Sequence, residues 1–204
     1  MREEMFILKV VLTSLGIFAY LFSVIFFRRY RQWLLYYMIG AFGLTLIIIF
    51  TAKALKGEPA LAFAHLYPLN SFLNILGIKA KVFYPSQIMV SDPFSYSLLN
   101  ITIECSSLIE FSVLAGLILF YPVFRPVQKG LLLLVGTVAI YLLNLIRILI
   151  IASLVHFYGP PMVFASHAIF GRLFFFLGII IVFWHIFTRS SLTIVKQRIE
   201  GETA

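Results

Sequence analysis

The chain has 204 residues and a formal net charge of +8; 62% of its residues are hydrophobic and 12% charged, for a mean hydropathy of +1.03. That balance excludes an ordinary water-soluble domain and points to one integral membrane domain spanning residues 1–204. The basic residues stand at the edges of the apolar runs, where anionic lipid and membrane topology account for them, so nucleic-acid binding is discarded and membrane lipid is the expected surrounding partner.

The first apolar run, residues 5–27, lacks a small-residue cleavage site and is long for a signal peptide; it reads as a retained anchor. The second, 33–51, follows the break RRYRQ. An outer segment, 52–103, comes next. Within it PALAFAHLYPLNSFLNILGI (59–78) is long enough to span, but Pro59, His65, Pro68, Asn70 and Asn74 favour an interfacial or re-entrant helix. Three further spans are expected at 105–121, 130–156 and 168–188, separated by YPVFRPVQKG and HFYGPPMVFAS. In hydrocarbon every backbone polar group must be satisfied within its own segment, and none of these runs shows the dyad alternation of barrel strands. The expected fold is therefore all-α: a polytopic membrane helical bundle of about five to six transmembrane helices plus the outer helix.

Lysine and arginine set the orientation. Arg28, Arg29, Arg31, Arg125, Lys129, Arg189, Lys196 and Arg198 fall on one side, against Arg2, Lys53, Lys56, Lys79 and Lys81 on the other. The richer face is expected to be cytoplasmic, which puts residues 52–103 outside.

With helix direction alternating, Cys105 at the start of the third span, Asn144 and Arg147 in NLIRI on the fourth, and His167 at the start of the fifth approach the same outer face. Ionisable residues within a membrane are costly unless paired or wetted, so each marks a candidate site. Each also has a plainer reading: Cys105 as a small buried hydrophobe, Arg147 as a structural cation, His167 as an interfacial or capping residue. Together they fit nucleophilic catalysis. A nearby imidazolium or guanidinium favours the thiolate, histidine can carry its proton to a leaving amine, and arginine can steady the thiolate or an oxyanion. That is acyl-transfer chemistry.

Glu110 and Arg172 each lie five residues into their spans, about 7 Å below Cys105 and His167 at 1.5 Å per residue, and are expected to pair, in a structural role or a directly catalytic one. Glu104 adjoins the thiol, where its charge works against the thiolate unless an arginine neutralises it; it could instead orient His167 or grip a substrate. Asn144 either hydrogen-bonds the site or caps a carbonyl. His65, His156 and His185 are scattered among the segments without a second cysteine or an HExxH, so no metal site is expected, and no fingerprint of a phosphate-bearing cofactor occurs. Asn100-Ile101-Thr102 matches a glycosylation acceptor but abuts the membrane and is read as chance.

At ECSS, NLIRI and ASHAIFG, over about residues 100 to 188, the chain resembles the exosortase/archaeosortase family of membrane cysteine transpeptidases. The family's cysteine, arginine and histidine fall on Cys105, Arg147 and His167, with Asn144 in the Asn-x-x-Arg setting. Serine stands in ECSS where many relatives have glycine, and the chain is short, closer to the compact forms and particularly the G subtype of Gram-positive bacteria. The resemblance implies a secreted substrate protein whose C-terminal sorting signal comprises a short motif, an apolar helix and a basic tail. It further implies a thioester at Cys105, transfer to an acceptor, and an outward-facing site. Two other readings stand beside it: a non-catalytic membrane subunit of an exopolysaccharide or protein export assembly, and a transferase using a lipid-linked substrate.

Overall fold

The computed structural model describes residues 2–55, 57–83, 86–93, 96–100 and 105–189, with backbone alone at 2–13, 58–59 and 189. Glu104, Ile101 and Thr102 lie outside the described residues. The protein is mostly helical. Helices α1 (Arg2–Arg29) and α2 (Trp33–Ala54) precede α3 (Glu58–Ile75), strands β1 (Ala80–Phe83), β2 (Gln87–Ser91) and β3 (Tyr96–Asn100), and helices α4 (Leu108–Phe120), α5 (Pro126–Tyr158) and α6 (Met162–Thr188). Helices α2, α5 and α6 are each long and apolar enough to cross a membrane, whereas α4 is apolar but has 13 residues.

The all-α expectation needs correction in the outer segment. Residues 80–100 form an antiparallel sheet of order β1-β2-β3, with Ile88 opposite Val82 on one side and Leu99 on the other. The bilayer argument excludes open sheets only in hydrocarbon. Here KVF, QIMV and YSLL are short runs with β-branched or aromatic members, bounded by Pro85-Ser86 and Asp92-Pro93, which is a hairpin pattern. The expected outer helix, by contrast, is present as α3.

Helix α5 is the axis of the molecule. Pro126 stands at its first turn, where its missing N–H costs nothing, and the Arg125 backbone N–H donates to Gln128 Oε1 at 3.0 Å. Its 33 residues reach about 50 Å, well past a bilayer's hydrocarbon of about 30 Å. Gly159, at φ 75°, ends it in a conformation that glycine adopts at little cost and turns the chain into Pro160-Pro161 and α6. Two cores flank α5. One joins Leu66, Leu69 and Leu73 of α3, Ile88 and Val90 of β2, and Leu145, Ile148 and Ala152 of α5, and it includes Cys105. The other joins Leu114 and Ile118 of α4, Ile140 of α5, and Phe175 and Ile186 of α6. Polar ties hold the outer layer to α5: the Tyr141 hydroxyl donates to Ala64 O at 2.8 Å, and His156 Nδ1 donates to Ser91 O at 2.6 Å.

Helices α2 and α4 approach through small residues, and Thr45 Oγ1 stands 3.1 Å from Ser112 O across the pair. A Cβ on Gly116 would sit 2.5 Å from the backbone oxygen of Ala41. Gly116→Ala is therefore expected to force the helices apart and destabilise the bundle by about 1–3 kcal/mol, read as reduced resistance to denaturant in micelles. Unchanged resistance would show that this seam carries no close packing.

Candidate active site

The site is built where α4, α5 and α6 meet beneath the sheet. Cys105 lies in the turn 105–107 that leads into α4, and Ser107 at the helix N-cap adopts the left-handed region, φ 57° and ψ 14°. That sharp turn halts the backbone before the helix starts and leaves the sulfur facing α5 and α6. Asn144 secures it, donating from Nδ2 to Cys105 O at 2.7 Å. Three residues on, along the same face of α5, Arg147 directs Nη2 at Cys105 Sγ from 3.7 Å. Cys105 and Arg147 are each 4% exposed and Asn144 is fully buried.

His167 arrives from α6. The helix begins at Met162, six residues earlier than expected, because Pro160-Pro161 starts it directly, so His167 stands within the helix and not at its mouth. It falls in a π-helical turn, Ser166–Gly171, which inserts one residue into the ordinary repeat and re-aims the side chains it carries. His167 Nε2 and Nδ1 lie 3.7 and 3.9 Å from Cys105 Sγ. Near-equal distances mean that neither nitrogen points squarely at the sulfur, so proton transfer requires the imidazole to turn. Long contacts of this kind are usual in catalytic sites without substrate.

Glu110 and Arg172, expected to pair, line one cavity of about 400 Å³ with Arg147 and Phe175, so the carboxyl group shares that space with two cations. Residue counting placed Glu110 and Arg172 at one depth without seeing that Arg147, on the intervening helix, lies between the same walls. Phe175 was not distinguishable in the run Phe174-Phe175-Phe176; its ring lies 5.2 Å from the Arg147 guanidinium in a cation–π arrangement.

On the other side of the thiol, a cavity of about 780 Å³ reaches Cys105, His167 and Arg172 beneath an apolar wall that includes Ile88, Ile148 and Phe164. Leu98, Leu99 and Asn100 of β3 line it as well. Sequence reasoning missed these residues together with the sheet. Among the described residues no group of three or more His, Cys, Asp or Glu side chains could hold a metal ion. His65 packs its ring on Tyr141 at 4.7 Å, and His156 ties α5 to β2; neither lines the cavity around Cys105.

Two substitutions test this geometry. Ser107→Gly removes the strain of a left-handed serine, about 1 kcal/mol, and is expected to leave thermal stability equal or higher, while Ser107→Val, β-branched at the same φ, should lose about 1–3 kcal/mol. Arg147→Gln, which takes the cation from the sulfur, should slow alkylation of Cys105 by iodoacetamide at neutral pH about tenfold or more, with Phe175→Leu falling between. Equal rates in all three proteins would remove Arg147 from the thiol's chemistry. Comparison of the chain with family models, with curated proteins and with solved structures returned no match.

Proposed function

We propose that the chain is a multi-pass membrane cysteine peptidase or transpeptidase of exosortase type, with Cys105 as nucleophile, His167 as proton carrier and Arg147 as the stabilising cation. The observation that carries this reading is a single sulfur within 3.7 Å of both a buried guanidinium and an imidazole, at the wall of an apolar cavity. In this mechanism His167 takes the thiol proton as the sulfur attacks the carbonyl carbon of a peptide bond. The S–C bond forms, the carbonyl electrons move onto oxygen, and Arg147 balances negative charge on sulfur or oxygen. The C–N bond then breaks, and the amine leaves with the proton held on the imidazolium. A thioester remains. An acceptor amine, or water, attacks it through the same histidine, the S–C bond breaks, and the thiol is restored. Asn144 positions Cys105 through its carbonyl, and Glu110 and Phe175 hold Arg147.

In this reading the helices that span are α1, α2, α4, α5 and α6, and the lysine and arginine bias sets the site on the extracytoplasmic side. The substrates are secreted proteins ending in a short motif, an apolar helix and a basic tail.

The test compares the C-termini of such proteins by mass spectrometry in cells carrying the wild-type chain or a variant. Cys105→Ala is expected to leave the protein folded and abolish tail removal; His167→Ala should lower the rate by about 10²–10⁴. Tail removal that survives Cys105→Ala refutes the peptidase. A lipid acyl group trapped on Cys105 would move the assignment to a transferase, and substitutions at Cys105, Arg147 and His167 that only unfold the bundle would favour a structural subunit. A membrane-impermeant maleimide should label Cys105 in intact cells; labelling only after permeabilisation reverses the orientation.

A further inference from the structure

We propose that β3 is the substrate-docking edge: an extended polypeptide with apolar side chains at alternate positions adds to it as a fourth strand and is thereby led to Cys105. This rests on the peptidase reading above and names how its substrate is held.

The cavity beside Cys105 touches Leu98, Leu99 and Asn100 in succession. Successive residues of a strand direct their side chains to opposite faces, so a cavity that meets three in a row reaches past the side chains of a single face to the strand itself. One edge of β3 is filled by β2; at the other, among the described residues, no strand is paired, and that is the edge left for an added strand. The cavity also reaches Ile88, the partner of Leu99 on the buried face, so it wraps from the edge under the sheet. An added strand would meet backbone donors and acceptors on β3, and every second side chain would enter the apolar space beneath. Main-chain bonding gives affinity in such complexes and alternate side-chain pockets give specificity.

The two edges of the sheet are also treated differently. β1 carries exposed Lys81, with Lys79 just before it, the usual means of blunting an edge against further pairing. β3, Tyr96-Ser97-Leu98-Leu99-Asn100, carries no charge, and Leu98 is 57% exposed. An uncharged edge with a bare leucine is a liability unless something pairs with it. Asn100 and Cys105 line the same cavity, so a strand laid along β3 lies beside the sulfur.

The experiment uses the full chain in nanodiscs and the probe N-acetyl-Leu-Ala-Leu-Ala vinyl methyl sulfone, read as the rate of Cys105 adduct formation by intact mass. The peptide should label about tenfold or more faster than ethyl vinyl sulfone. Methylating one backbone nitrogen at a time should slow it about tenfold at alternate positions and little at those between, since one lost hydrogen bond is worth about a factor of ten. A flat response to methylation, or a peptide no faster than ethyl vinyl sulfone, overturns the proposal. A second arm separates it from the peptidase reading. If His167→Ala leaves the ethyl vinyl sulfone rate unchanged while the peptide still shows the alternation, docking on β3 stands and the peptidase reading, which needs His167 as proton carrier, fails. If His167→Ala slows that reagent and the methylation scan is flat, the nucleophile stands and β3 is not the docking edge.

Discussion

A guanidinium that is 4% exposed governs this molecule. Removing a cation from water costs several kcal/mol unless opposite charge or polarisable density surrounds it. Around Arg147 stand the Cys105 sulfur from α4's leading turn and the Phe175 ring from α6, and Glu110 of α4 lines the same cavity. Each fixes one neighbouring helix against α5. The same guanidinium faces the Cys105 sulfur at 3.7 Å, so the group that packs the helices together is also the cation nearest the thiol.

The length of α5 decides where that chemistry happens. A helix of about 50 Å extends beyond the hydrocarbon at one end at least, and it is the Tyr141–His156 half that carries α3 and the sheet. Asn144 and Arg147 lie in the same half, under that layer. The sheet is therefore a roof over the thiol: Ile88 and Val90 seal it on the α5 side, and β3 borders the cavity. On the peptidase reading proposed above, a thioester formed there would lie under the sheet, an arrangement that favours transfer to an acceptor over hydrolysis.

Much of this was legible in the sequence because the bilayer imposes a strong rule on hydrophobic length. Residues 33–51, 130–156 and 168–188 fall within helices, and the apolar run at 59–78 is helical over Glu58–Ile75. Alternating helix direction alone brought Cys105, Arg147 and His167 to one face. What counting could not supply was rotation about each helix axis. Whether Glu110 meets Arg172 or Arg147 depends on about 100° of turn per residue, and the π turn at Ser166–Gly171 shifts that phase for everything after it. Phe175 was hidden among three phenylalanines for the same reason. The strands were missed because a hydrocarbon argument was carried into a segment that does not span, although KVF, QIMV and YSLL alternate with turn residues in plain view.

The resting geometry has a consequence of its own. The Arg147 guanidinium and the His167 ring each approach the Cys105 sulfur to 3.7 Å, and the imidazole presents both nitrogens about equally. The guanidinium is set against the Phe175 ring, whereas the imidazole must turn to aim one nitrogen at the sulfur. Because Arg147 is fixed and His167 is set on a widened helical turn beside the cavity, an occupant pressing on the α6 wall acts on the histidine more than on the arginine.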